Sequence, residues 1–151
     1  MNILLCDRIN DTNEYREQLA KAYQRQGHCV IFDVHNFLYS AFLPDFVHIQ
    51  WPETIYRWTH NILPKEDTLL LLKQRLAWYS NRQIAIVYAA HNLLPHENVS
   101  KFDTAIYSTI LEHANIIVHH GNASIHLIKK HFPECREAHH IVCPHGPYTY
   151  K

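Results

Sequence analysis

The sequence predicts an α/β domain with a mainly parallel sheet of about six strands and helices on both faces. Three observations lead there. Short apolar runs alternate with amphipathic stretches along nearly the whole chain. The apolar runs are continuous rather than alternating, as in strands covered on both faces. Polar residues collect after the strands rather than before them, and strand–helix alternation of this kind implies parallel pairing.

The elements follow in order. Asn2 to Cys6 is a buried strand. Asp11 to Gln26 is a helix, with Asp11 and Glu14 placed as in a capping box. Its apolar face is Tyr15, Leu19, Ala22 and Tyr23, and Gly27 stops it. Cys29 to Val34 is the second strand, and His35 to Asp45 is aromatic and irregular. Phe46 to Gln50 is the third strand, ended by Trp51-Pro52-Glu53. A helical stretch runs from about Glu53 to Asn61, and a longer one from Lys65 to Asn81 with Leu69, Leu72, Leu76 and Tyr79 inward. Ile84 to Ala90 is the clearest strand. Ser100 caps a helix to about His113. Ile116 to His119, a helix over Asn122 to His131, and a strand over His140 to Cys143 complete the pattern.

Composition narrows the function. At 151 residues the chain fits one domain. Fourteen Lys and Arg balance fourteen Asp and Glu, which argues against a nucleic-acid binder acting through bulk charge. With three glycines, the chain has neither glycine-dependent phosphate-cradling fingerprint. No apolar run reaches the ~20 residues of a membrane span, and the N-terminus lacks the marks of a signal peptide. Cys6, Cys29, Cys135 and Cys143 read as reduced core cysteines of a cytoplasmic protein, the alternative being a disulfide pair.

The chemistry-bearing residues sit where strands exit. Strand three leads into Gln50, Trp51 and Glu53, strand four into His91, Asn92, His96 and Glu97, strand five through His119-His120, and strand six into Pro144-His145-Gly146. In an open parallel sheet this rim is where ligands bind, near the point where strand order reverses. His119 and His120 alternate in direction, so at most one faces the crevice. Each residue also has a plainer role: packing for Trp51, capping for Asn92, a turn for His145-Gly146. Fourteen histidines raise a metal-dependent hydrolase as a rival, but His96-Glu97, His126 with His131, and His139 to His145 lack the i, i+4 spacing of local zinc motifs. Serine hydrolysis lacks its G-x-S-x-G elbow. A receiver domain is rejected because strand three ends in Gln50-Trp51 rather than a phosphoacceptor Asp. The segment Phe37 to Pro44 is either a buried loop or edge cover, or a contact with a lipid surface or lipid-linked acceptor.

Taken together, Val47-His48-Ile49-Gln50-Trp51-Pro52-Glu53, Tyr88-Ala89-Ala90-His91-Asn92-Leu93-Leu94-Pro95-His96-Glu97, Ala114 to His119 and Ile141 to Tyr148 resemble the N-terminal half of bacterial GT-B glycosyltransferases of cell-surface polysaccharide assembly. The resemblance implies a Rossmann-like three-layer α/β/α domain that chiefly binds the acceptor. A second domain would bind the nucleotide-sugar donor. It implies sugar transfer to a carbohydrate or lipid-linked acceptor with no cofactor and no metal, the nucleotide sugar being substrate. It places the protein in the cytoplasm, with peripheral contact at the inner face of the plasma membrane. His91 would lie near the transferred sugar and Pro144-His145-Gly146 would lead to the interdomain hinge. His91 and Glu97 are the expected catalytic residues; Gln50, Trp51, Glu53, Asn92, His96, His119, His145 and Gly146 are the expected substrate contacts. In an inverting reaction Glu97, Glu53 or His91 would serve as base. The loop Asp7-Arg8-Ile9-Asn10 departs from that family's glycine-rich pattern. The family's donor domain begins where this chain stops, so an excised N-terminal domain, inactive alone, is expected. The alternative is a non-catalytic acceptor-binding subunit of a split transferase.

Overall fold

A computed structural model describes residues 1–7, 14–57, 65–96 and 98–146. The strands are β1 (Asn2–Leu5), β2 (Cys29–Phe32), β3 (Phe46–Ile49), β4 (Ala85–Ala90), β5 (Ile116–His119) and β6 (His139–Val142). The helices are α1 (Glu14–Arg25), α2 (Val34–Tyr39), α3 (Glu53–Tyr56), α4 (Lys65–Ser80), α5 (Lys101–His113) and α6 (Asn122–His131), with a 3₁₀ turn over Pro133–Glu137. All strand pairs are parallel, in the order β2-β1-β3-β4-β5-β6. The chain is therefore an α/β protein with a Rossmann-like, three-layer arrangement. No helix among the described residues is long and apolar enough to cross a membrane.

Strand parity divides the core. Ile3 and Leu5 face α1, where they meet Leu19, Ala20 and Tyr23. Leu4, Val47, Ile49, Ile86, Tyr88 and Ile117 face the other way. There they pack against Phe37 and Leu38 of α2, Leu72, Leu76 and Tyr79 of α4, Ile106 and Ile110 of α5, and Ile128 of α6. The interior strand β4 is buried from Ile86 to Ala90, as its unbroken apolar sequence requires.

The helix ends show why local sequence forms local structure. Ser100 caps α5 by accepting from the Asp103 amide, while the Asp103 carboxylate accepts from the Ser100 amide. At the end of α1, the Gly27 amide donates to the Gln24 carbonyl and the His28 amide to Tyr23, a Schellman closure with Gly27 at φ +79°. The same closure ends α4 through Gln83 and Ile84, but there the left-handed residue is Gln83, at φ +58°.

Two expectations are corrected. The aromatic segment after β2 is not irregular throughout: Val34–Tyr39 is helical. The Asp33 side chain accepts from the His35 amide, and Val34, Phe37 and Leu38 are buried together. At the other end, Arg75 Nε and Tyr79 Oη both donate to the Phe37 carbonyl. The cysteines are free but not all in the core. Cys6 and Cys135 are buried, whereas Cys29 and Cys143 are exposed. Cys29 lies on the edge strand β2, and Cys143 just beyond the edge strand β6.

Candidate functional site

Strand order reverses between β1 and β3, so the crevice expected for an open parallel sheet lies at their carboxyl ends. Register decides what stands along the same lip beyond it, after β4, β5 and β6. Ala90 pairs with His119 and His119 with Val142. The next residues along β4 and β5, His91 and His120, are consequently neighbours about one strand spacing apart. Two residues beyond Cys143, His145 rejoins them. The His91 and His120 ring centroids lie 4.6 Å apart, those of His120 and His145 3.6 Å, and those of His91 and His145 5.6 Å.

Trp51, from the end of β3, stacks on His91 at 4.3 Å with an interplanar angle of 13°. Tyr15 of α1 meets His91 and His145 edge-on at 4.9 and 5.2 Å. Arg16 places its guanidinium 4.5 Å from the Trp51 ring centroid and its Nε 3.0 Å from Asp7 Oδ1. Its Nη2 donates to Thr54 Oγ1 at 3.3 Å. Trp51 is thus held in place by packing, with a cation and an imidazole against its ring.

The hydrogen bonds define the imidazole tautomers. His120 Nδ1 lies 3.0 Å from the Cys143 carbonyl, which only accepts, so Nδ1 carries the proton. Its Nε2, 3.1 Å from His91 Nδ1, then accepts from His91. The lone pair of His91 is left on Nε2, which is buried and has no hydrogen-bond partner among the described residues. Burial first, then the neighbouring His120, His145, His48 and Arg16, push the His91 pKa down to about 3. His91 is therefore neutral at pH 7, a good acceptor for a hydroxyl proton but too weak a base to remove one efficiently.

More unsatisfied polarity lies after β3. Gln50 is 1% exposed, and neither atom of its amide has a partner among the described residues. Glu53 is also buried. Its Oε1 accepts from Tyr107 Oη at 2.8 Å, while Oε2 has no such partner. Buried polar atoms without partners are rare and costly, and hydroxyl-rich ligands are one class that would satisfy them. Two clefts flank the histidines. One of about 220 Å³ is lined by Tyr15, Gln18, Leu19, Ala22, His145 and Gly146. Another of about 190 Å³ includes His91, Asn92 and Leu93 with Ser124, Leu127 and Ile128 of α6.

Of the residues singled out from sequence, the structure brings His91, Trp51, His145, Gly146 and Asn92 to this lip, with Gln50 and Glu53 buried at the carboxyl end of β3 and in the turn that follows. His96 is exposed, outside the contacts that build the cluster, and Glu97 lies outside the described residues. His119 is placed elsewhere. It is fully buried, with Nδ1 2.8 Å from Ser124 Oγ and Nε2 2.9 Å from His140 Nδ1. His140 Nε2 in turn reaches the Cys135 carbonyl at 3.3 Å. Burial, then His140, Lys129 and His120, lower the His119 pKa to about 4. His120 takes the crevice position instead, because parity turns alternate residues to opposite faces.

Tyr15, Arg16 and Asp7 were not foreseen as part of the site. Tyr15 appeared only as a core position of the first helix. Arg16 gives one sign in sequence, a charge next to the apolar face of an amphipathic helix, but nothing local says that it pairs with Asp7. Comparison with known proteins gives no matching family model and no matching curated protein.

Proposed function

We propose that this chain is the acceptor-side domain of a glycosyltransferase acting in cell-surface polysaccharide assembly. It would hold a carbohydrate or lipid-linked acceptor while a second domain presents the nucleotide sugar. The reading is supported above all by the His91 Nε2 lone pair, unpartnered among the described residues after β4, the strand next to the switch point, with further unpartnered atoms on the buried Gln50 amide and Glu53 carboxylate after β3. That set offers hydrogen-bond acceptors and one amide donor, suited to a polyhydroxylated ligand.

In this reading His91 accepts a hydrogen bond from an acceptor or sugar hydroxyl and fixes its direction. Its lowered pKa makes it a positioning group, so in an inverting reaction the proton would go to a carboxylate, with Glu53 and Glu97 the candidates. Trp51 sets the plane of His91 by stacking. Asn92 and Gly146 line the flanking clefts and would contact the acceptor.

The test is a histidine-detected NMR titration of the metal-stripped protein with a panel of oligosaccharides and lipid-linked saccharides. The His91 ring resonances should shift saturably with an acceptor and remain still with nucleotide sugars alone. Shifts with nucleotide sugars only, or with neither, would overturn the assignment.

A further inference from the structure

His91, His120 and His145 come from three loops far apart in sequence, yet one ring nitrogen from each lies within 4.8 Å of the others. We infer that these three histidines form a binding site for one zinc-class divalent ion. The inference goes beyond the acceptor-side reading and does not depend on it.

The donor set selects the ion. Three neutral imidazoles suit zinc, copper and nickel, whereas magnesium and calcium require oxygen ligands that the trio lacks. The spacing is close to what is needed. Three atoms no farther than 4.8 Å apart share a point roughly 2.8 Å from each at most, and zinc–nitrogen bonds are about 2.0–2.1 Å. The rings must therefore close in by about 0.7 Å or less. His145 is exposed, so its side chain has room to turn, opening the 3.6 Å stack on His120.

Orientation is already supplied. The Cys143 carbonyl holds the Nδ1 proton of His120 and so aims the Nε2 lone pair at the cluster. A backbone carbonyl in that position is the usual support of a metal-bound imidazole. His91 Nδ1 and His120 Nε2 stand 3.1 Å apart, near the ~3.3 Å separating two ligands of one tetrahedral zinc. The ion would replace the proton between them, and neutral His91 would carry its proton on Nε2 instead, so the Nε2 that accepts in the metal-free protein would donate in the metal-bound one. The nearby Arg16 cation is paired with Asp7, which limits repulsion. Three protein ligands leave a fourth position for water or a substrate oxygen, as in catalytic zinc centres.

The untagged full chain is stripped with a chelator and titrated with Zn²⁺ and, for its spectrum, Co²⁺, with no saccharide present. One equivalent of Zn²⁺ should bind, and Co²⁺ should give the intense visible bands of a four-coordinate ion. His120→Ala and His145→Ala should each weaken binding more than about tenfold. The exposed controls His35→Ala and His139→Ala should change it less than about twofold. Circular dichroism checks folding, and exposed His145 keeps the test decisive if His120→Ala misfolds. Failure to bind one equivalent, a six-coordinate Co²⁺ spectrum, or equal effects in the controls would overturn the site. The saccharide titration uses metal-free protein, so either conclusion can fail without the other.

Discussion

Arg16 and Asp7 are both almost completely buried, 3.0 Å apart, with the Arg16 guanidinium against the indole of Trp51. Removing one charge of such a pair strands the other in a medium that solvates it poorly. Arg16→Ala should therefore cost about 3 kcal/mol of folding stability, read by urea denaturation. Replacing His91 tests a different property. In a transfer-competent form of the protein, His91→Ala should reduce turnover about 10²-fold through lost positioning while the denaturation midpoint moves little; unchanged turnover removes His91 from the mechanism. The residue scale is also where sequence was least sufficient. Period-two alternation said that only one of His119 and His120 faces the crevice, but choosing between them needs the register of β5 against β4 and β6. The spacing rules for zinc motifs likewise search neighbours along the chain, whereas His91, His120 and His145 meet only through strand pairing.

At the scale of elements, two helices end in the same closure with different residues. At Gly27 a side chain would meet no atom, so Gly27→Ala should lose only the backbone penalty at positive φ, about 1 kcal/mol. At Gln83 the penalty is already present, and Gln83→Gly should stabilise by up to about 1 kcal/mol, measured as a rise in the denaturation midpoint. Helix α5 depends on Asp103. Burial alone would raise its carboxyl pKa, but hydrogen bonds from Ser100, Tyr56 and Arg57 outweigh burial and hold it well below the usual carboxylate range. These elements were legible in proportion to their chemical signals. Ser100 and Gly27 announced helix ends in sequence. Gln83 did not, because nothing in a glutamine marks a left-handed turn. Helix α2 was missed because six residues give too little periodicity, and its last turn is held by Arg75 and Tyr79, some 40 positions away.

For the whole molecule, the α/β class and the parallel sheet followed from unbroken apolar strands such as Ile84 to Ala90. The strand order did not, since nothing in the sequence says that β2 lies outside β1. Acid stability is likewise a global property. Burial lowers the His48 pKa to about 4, and His119 is brought to a similar value. In the unfolded chain both titrate near 6.5. Between those values the unfolded state binds more protons, so stability is full above about pH 6.5 and falls as pH drops towards about 4. A series of thermal melts should show this decline, and His119→Gln should flatten it by about one proton's worth of slope. Asp103 adds a further loss at still lower pH, as its carboxylate becomes protonated.

The stack of Trp51 on His91 has a practical consequence. Of the three tryptophans, Trp58 falls outside the described residues; of the other two, Trp78 lies among Arg75, Tyr79 and Arg82 on the helical layer and Trp51 touches the histidine cluster. The part of the ultraviolet emission that comes from Trp51 is a built-in optical gauge of the crevice. Anything that lifts, protonates or displaces the imidazole beneath it should change the brightness of the protein without any attached dye.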